Sequence, residues 1–277
     1  MPPAIPRYAV FGHPIAHSLS PHLHALFGEQ CAIALDYTTI DASPEAFVAA
    51  VRAFFNGAGQ GANVTLPHKG AAFALAEVAT PTAQRLGVAN VLTRLPDGRI
   101  EADSNDGAGM LADLHRHGFD PRDREVLLLG AGGAARAAAF ALLDAGAAKL
   151  VIANRTTARA QALAASLSQP QRVVASDWPE LDRCAAFDLI VNATSSGVQH
   201  AALELPASLA NAQTCAYDLS YGPAALPFMD WTRAAGCAAA SDGLGMLVET
   251  AAASFERWHG TRPETEAVLR TLREDSL

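Results

Sequence analysis

Short apolar runs alternate with alanine- and leucine-rich helical stretches along this chain. That alternation predicts an α/β protein built mostly on parallel strands. A second observation divides it. A new unit starts near Asp106, and inside it the apolar strand Glu125–Leu129 runs directly into Gly130-Ala131-Gly132-Gly133-Ala134-Ala135. An uninterrupted apolar strand is the pattern of one buried on both faces. At roughly 100–200 residues per domain, a chain of 277 residues holds one or two domains, and the break near Asp106 favours two.

In order, Tyr8–Phe11 reads as a strand, Pro21–Gln30 as a helix and Leu35–Ile40 as extended. Ser43 is placed to cap a helix over Pro44–Phe55. Ala62–Val64 is a strand, followed by a helix from Pro67 on, since proline favours the first helical position. Val88–Leu95 and Arg99–Ala102 pair around the turn Pro96-Asp97-Gly98. Asn105 or Asp106 caps a helix running to Leu114–His117. Beyond Leu129 the strands are Leu150–Ala153, Val173–Val174, Leu189–Val191 and Ala216–Leu219. Leu244–Trp258 and Glu264–Arg273 close the chain as helices.

Hydrophobic residues make up 50% and charged residues 17%, enough for a sizeable core. The net charge of -8 argues against a nucleic-acid binder, which shows a basic patch or stripe. No apolar run approaches the ~20 residues that span a bilayer. Cys31, Cys184, Cys215 and Cys237 lack metal-ligand spacing, and no signal peptide precedes them. The expectation is a soluble cytoplasmic protein with free thiols and no metal. His13, His17, His22, His24 and His68 form no ligand cluster and read as surface or loop residues.

Gly130, Gly132 and Ala135 fit G-x-G-x-x-G/A, here between a strand and a helix. The first glycine permits the tight turn, the second lets backbone approach a pyrophosphate, and the alanine allows close helix–strand packing. An NAD-preferring fold carries Asp or Glu about 20 residues on, for the ribose 2′-hydroxyl. This chain reads Asn154-Arg155-Thr156-Thr157-Ala158-Arg159 instead. Two guanidiniums four residues apart suit a 2′-phosphate, which points to NADP; the alternative is a pair of ordinary surface arginines.

Lys69 and Lys149 are the only lysines. A lysine ammonium can be shifted into the working range and release a proton, whereas arginine stays charged. In the apolar stretch Gly61-Ala62-Asn63-Val64-Thr65-Leu66-Pro67-His68-Lys69, Lys69 is therefore a candidate acid/base, or else a solvated lysine in a first helical turn. Hydride transfer to a ketone leaves an alkoxide that needs a positioned acid. A carboxylate beside that acid would balance its proton. Asp106 is placed to supply it, unless it only caps the following helix.

These motifs, with the others in order, resemble the shikimate dehydrogenase family over nearly the whole chain. The N-terminal Phe11-Gly12-His13-Pro14-Ile15-Ala16-His17-Ser18-Leu19-Ser20-Pro21 is similar to its substrate-carboxylate motif, and Asn63–Lys69 to its lysine motif. Asn90, Asp106-Gly107, the glycine loop, Asn154-Arg155-Thr156, Asn192-Ala193-Thr194-Ser195-Ser196-Gly197, Tyr217-Asp218-Leu219-Ser220-Tyr221 and Asp242-Gly243-Leu244-Gly245-Met246 follow. The resemblance implies NADPH-dependent reduction of 3-dehydroshikimate to shikimate, on the route to aromatic amino acids. Ser18, Ser20 and Tyr221 would hold the substrate carboxylate. Asn63, Thr65, Lys69, Asn90 and Asp106 would surround the ring oxygens, with Lys69 and Asp106 handling the proton. Gly130, Ala131, Gly132, Gly133, Ala134, Asn154, Arg155, Thr156 and Arg159 would bind NADP, and Thr194, Leu219, Gly243 and Met246 would line its nicotinamide.

The resemblance further implies a substrate domain of residues 1–105 plus 244–277, its C-terminal helices packing back on it, and a Rossmann-like NADP domain of residues 106–243. Its only expected partner is the small-molecule substrate, for a monomer or homodimer.

Three positions depart from the family pattern. Thr250 stands where a substrate-contacting glutamine is usual, and Glu249 beside it points elsewhere on a helix. Ser104-Asn105 replaces the common Asn-Thr, with little effect expected because Asn105 can still cap. Gly87-Val88-Ala89-Asn90 exchanges two apolar neighbours.

Overall fold

The structure, a computed structural model, describes residues 5–195 and 204–275. The chain divides into two compact units, residues 1–105 with 248–277 and residues 106–247.

Among the described residues, the first unit holds a mixed six-stranded sheet ordered β2-β1-β3-β5-β6-β4. β1 (Arg7–Gly12) lies parallel between β2 (Asp36–Asp41) and β3 (Gly59–Val64). β5 (Val91–Arg94) pairs antiparallel with β3 and with β6 (Ile100–Asp103), and β4 (Val78–Ala79) runs parallel to β6. Side chains alternate across a strand. Ala9 and Phe11 therefore enter a core with Phe47, Val51 and Phe55, while Tyr8 and Val10 meet Ile15 and Tyr37 on the other face. This two-sided burial accounts for the unbroken apolar run Tyr8–Phe11. The helices are α1 (Ser20–Cys31), α2 (Phe47–Asn56), α3 (Lys69–Leu75) and α4 (Pro81–Leu86).

Among the described residues, the sheet of the second unit is wholly parallel, ordered β12-β11-β10-β7-β8-β9. Its strands are β7 (Glu125–Leu129), β8 (Lys149–Asn154), β9 (Val173–Asp177), β10 (Leu189–Asn192), β11 (Cys215–Asp218) and β12 (Ala239–Ser241). Numbered within the unit this is the 3-2-1-4-5-6 order of a doubly wound sheet, whose ligand crevice lies at the carboxyl ends where the order reverses. Here that reversal falls between β7 and β10. α5 (Asp106–Arg116) leads in, and α6 (Gly133–Asp144), α7 (Thr157–Ser166) and α8 (Leu226–Ala234) accompany the strands. The last helices are α9 (Leu244–His259) and α10 (Thr265–Asp275).

The elements differ from expectation in particular places. α2 begins at Phe47, and the Ser43 hydroxyl donates to Glu45 at 2.7 Å instead of capping the helix. α3 starts at Lys69 rather than Pro67. β5 covers only Val91–Arg94 of the extended stretch, yet the reversal beyond it is as expected: Leu95 N donates to Arg99 O at 2.8 Å. β4, α4, α8 and β12 were not anticipated. Thr80 caps α4, its hydroxyl accepting from Ala83 N at 3.2 Å. The β5–β6 hairpin is antiparallel as its turn requires, and the departure from a mostly parallel sheet is that β5 also runs antiparallel to β3.

Candidate functional site

In the second unit, β7 delivers the chain to Gly130, which has φ +108°, and a Cβ there would lie 2.8 Å from Ala193 O. Both conformation and space demand glycine. At Gly132 a Cβ would meet nothing within 4 Å. The turn is therefore open on that side. α6 begins at Gly133 with no side-chain cap, leaving its first N–H groups free of intrahelical partners, the arrangement that receives phosphate oxygens. Ala131, Gly133 and Ala134 are half-buried around it.

β8 ends at Asn154, whose amide donates to Thr156 O at 3.0 Å and closes a tight turn into α7. Arg155 and Arg159 are both exposed there, one before the helix and one in its first turn.

Two buried polar side chains tie the ends of β10 and β11. Asn192 Nδ2 donates to Asp218 Oδ2 at 2.9 Å, and Asn192 Oδ1 accepts from Thr194 N at 3.1 Å and Thr194 Oγ1 at 2.8 Å. Asp218 Oδ1 accepts from Ser220 N at 2.7 Å. Burial pushes the Asp218 carboxyl up to about 7, against the pull of these hydrogen bonds. Thr194 and Leu219 are thus fixed in place, with Leu219 N donating to Asn192 O at 2.8 Å. Gly243 packs on that backbone, since a Cβ would approach Leu219 O to 2.5 Å, and Met246 is buried nearby in sequence. Beneath them Tyr217 donates to Asp113 Oδ2 at 2.7 Å, and Asp113 also accepts from Arg116 at 2.5 Å. Tyr221 is half-buried ahead of a short 3₁₀ turn, Gly222–Ala224. Asp106 is buried as the first residue of α5. Ser196 and Gly197 lie outside the described residues.

In the first unit, Lys69 is half-buried and opens α3, and its carbonyl accepts from Ala89 N at 2.9 Å. The preceding His68 is not a surface histidine. It is buried, stacked on Phe47 at 4.3 Å and bonded through Nε2 to Ala42 O at 2.8 Å. This fixes the backbone that leads to Lys69. His24 is likewise buried, stacked on Tyr37 at 4.1 Å, because α1 turns that face onto the sheet and α9. Ser20 begins α1, and its N–H donates to Ser18 Oγ at 3.2 Å. Thr65 N donates to Phe11 O at 2.9 Å, and the Thr65 methyl occupies the space that a Cβ at Gly12 would need.

Asn63 and Asn90 belong to one network with Asn105. Tyr37 donates to Asn63 Oδ1 at 2.8 Å, and Asn63 Nδ2 donates to Ser254 Oγ at 2.8 Å and Asn90 O at 3.3 Å. Asn90 and Asn105 bond reciprocally: Asn90 Nδ2 to Asn105 Oδ1 at 2.6 Å, and Asn105 N to Asn90 Oδ1 at 2.9 Å. The Asn105 side chain, expected to cap α5, is instead bonded into this network. Thr250 is buried, and its carbonyl accepts from Asn105 Nδ2 at 3.0 Å. Glu249 points away from this network, to Arg262 at 2.8 Å and Thr265 at 2.7 Å. Tyr37 and Ser254 here, and Asn192 and Asp218 in the second unit, were not among the expected site residues, and Asn105 was expected only as a helix cap. Asn192 and Asp218 do sit at strand ends inside quoted motifs, and that position was the available signal.

A doubly wound parallel sheet with an open glycine turn, joined to a second α/β unit carrying a partly buried amide network, defines a two-unit protein of the dinucleotide-binding class. The chain belongs to the shikimate dehydrogenase family. Residues 10–92 match the shikimate dehydrogenase substrate binding domain, 113–211 the shikimate / quinate 5-dehydrogenase family and 243–273 the shikimate 5'-dehydrogenase C-terminal domain. It is 53% identical over 272 residues to the shikimate dehydrogenase (NADP(+)) of Xanthomonas campestris, covering 97% of this chain and 96% of that one. The Ael1 enzyme from Pseudomonas putida has the same fold, with a TM-score of 0.87 at 42% identity over 96% of this chain and 98% of that one. Shikimate 5-dehydrogenase from Thermus thermophilus, solved with NADP(H) and shikimate, gives 0.86 at 34% over 99% and 100%.

Proposed function

We propose that this chain is an NADP-dependent oxidoreductase that reversibly reduces 3-dehydroshikimate to shikimate, a step of chorismate and aromatic amino-acid biosynthesis. The observation that carries this reading is the 53% identity to a shikimate dehydrogenase (NADP(+)) along 97% of the chain, through both units. Residues 106–243 are assigned to NADP, and residues 1–105 with 244–277 to the substrate.

The residues present fit NADP. The open side of Gly132 and the uncapped start of α6 leave room and donors for a pyrophosphate. The end of β8 offers Asn154 and exposed Arg155 and Arg159 where NAD binders carry an acid. Bound there, NADPH supplies the hydride. Gly130, Ala131, Gly132, Gly133 and Ala134 form the phosphate turn. Asn154, Arg155, Thr156 and Arg159 take the 2′-phosphoribose. Thr194, Leu219, Gly243 and Met246 border the nicotinamide.

Ser18, Ser20 and Tyr221 offer hydroxyls to the substrate carboxylate. Asn63, Thr65 and Asn90 address the ring oxygens. Lys69 gives the alkoxide its proton, and Asp106 is its carboxylate partner, a role consistent with the need for a positioned acid in carbonyl reduction. Thr250 takes the glutamine's place with a shorter reach. We further place the protein in the cytoplasm, as a monomer or homodimer. All four cysteines are free thiols, and among the described residues no helix is long and apolar enough to cross a membrane.

Initial rates of shikimate oxidation with NADP and NAD side by side, and quinate as control, test the reading. Fast NADP-linked turnover of shikimate, with NAD and quinate poor, is the expected result. No shikimate turnover by protein that still binds NADP would overturn it.

A further inference from the structure

Ser254 lies on α9, fully buried, and its hydroxyl makes three hydrogen bonds. It donates to Thr250 O at 2.9 Å, one helical turn back, and accepts from Asn63 Nδ2 at 2.8 Å and Asn105 Nδ2 at 3.0 Å. A serine hydroxyl has one hydrogen and two lone pairs. Once the hydrogen goes to the helix carbonyl, the lone pairs can only accept. Ser254 thereby dictates which end of each amide faces it: both asparagines must present nitrogen.

The consequences run outward. With its nitrogen on Ser254, Asn105 turns Oδ1 toward Asn90, whose own amide is then fixed by the reciprocal pair. Asn63 spends one amide hydrogen on Ser254 and the other on Asn90 O. An amide nitrogen carries only two hydrogens. What Asn63 can offer a ligand is therefore its carbonyl oxygen, already aimed by the Tyr37 hydroxyl.

We infer that Ser254 is a positioning residue that fixes Asn63 as an acceptor, so that this unit selects a ring hydroxyl over a ring position lacking one. The inference rests on the proposed substrate role of Asn63 and Asn90. A site built to pair with a hydroxyl rejects analogues without it, provided the amide cannot turn over. Ser254→Ala removes the partner of two amide hydrogens and leaves Asn63 Nδ2 held only by the longer bond to Asn90 O, at 3.3 Å, so the amide is less firmly fixed.

Shikimate and its monodeoxy analogues, titrated calorimetrically and assayed kinetically against wild type and Ser254→Ala, test this. Losing one such hydrogen bond is expected to raise the shikimate Kd and KM about 3- to 10-fold. Discrimination against the deoxy analogues should narrow, while the NADP Kd stays unchanged. Ser254→Thr should restore wild-type behaviour, because a threonine hydroxyl can make the same bond to the carbonyl one turn back. Unchanged shikimate affinity and discrimination, or an equal loss for NADP, would overturn the inference. Side-chain amide exchange of Asn63 in the ligand-free wild type gives a second readout, independent of any variant's folding. Slow exchange of both Nδ2 hydrogens is expected, and rapid exchange would count against the lock. If wild type neither binds nor oxidises shikimate, the functional reading fails instead, and the exchange measurement still judges the lock.

Discussion

Two side chains carry separable predictions. Lys69→Ala should lower kcat by about 10²- to 10⁴-fold, the usual worth of a positioned acid or base, with the NADP Kd unchanged. Full turnover in that variant would remove Lys69 from the chemistry. Thr250→Gln restores the longer side chain of the family and should lower the shikimate KM, by up to roughly tenfold for one recovered hydrogen bond. Unaltered kinetics would mean that residue 250 does not reach the substrate. Lys69 was legible because lysine is so scarce in this chain. Ser254 was not, because a serine in an alanine-rich helix looks neutral. Its partners Asn63 and Asn105 are 191 and 149 positions away, and only the folded chain assembles a network over such separations.

Among the elements, the glycine turn makes the sharpest demand on residue type. Gly130→Ala forces a Cβ against Ala193 O at a positive φ, a strain on the order of 1–3 kcal/mol. The variant should melt earlier and bind NADP more weakly. Wild-type NADP affinity in it would show that the turn does not hold the phosphates. This element was readable in advance because strand, turn and helix are contiguous and each leaves its own local mark. β4 and β12 were not, with two and three residues each, too few for any period to show. α3 was misplaced by two residues because proline's preference for a helix start is only a tendency. His68, bonded to Ala42 O, holds the chain just before the helix instead. The antiparallel run of β5 follows from the short turn to β6, which cannot join parallel neighbours.

For the whole molecule, stability depends on pH through two buried groups with opposite signs. Burial, helped by the nearby His259, holds His24 down at about 3 from its ordinary 6.5. The unfolded chain binds that proton first, so this contribution is intact above pH 6.5 and is lost as pH falls toward 3. Asp218 is raised from 3.8 to about 7, so its contribution is full at low pH and is lost as pH rises to 7. The two oppose each other across the mildly acidic range, and below the ordinary Asp value only His24 still erodes stability. His24→Phe should therefore gain melting temperature over wild type progressively as pH drops from 6.5. Parallel melting curves would show that His24 is not the acid-sensitive group.

Such curves can be resolved unit by unit. Trp258 stacks on Tyr8 at 4.9 Å in the first unit, directly over Gly61, whereas Trp178 and Trp231 pack against the core of the second. With three tryptophans in all, replacing those two by phenylalanine leaves a single indole emitter beside His24. Its fluorescence then follows the melting of one half of the protein, and the unmodified signal minus it follows the other.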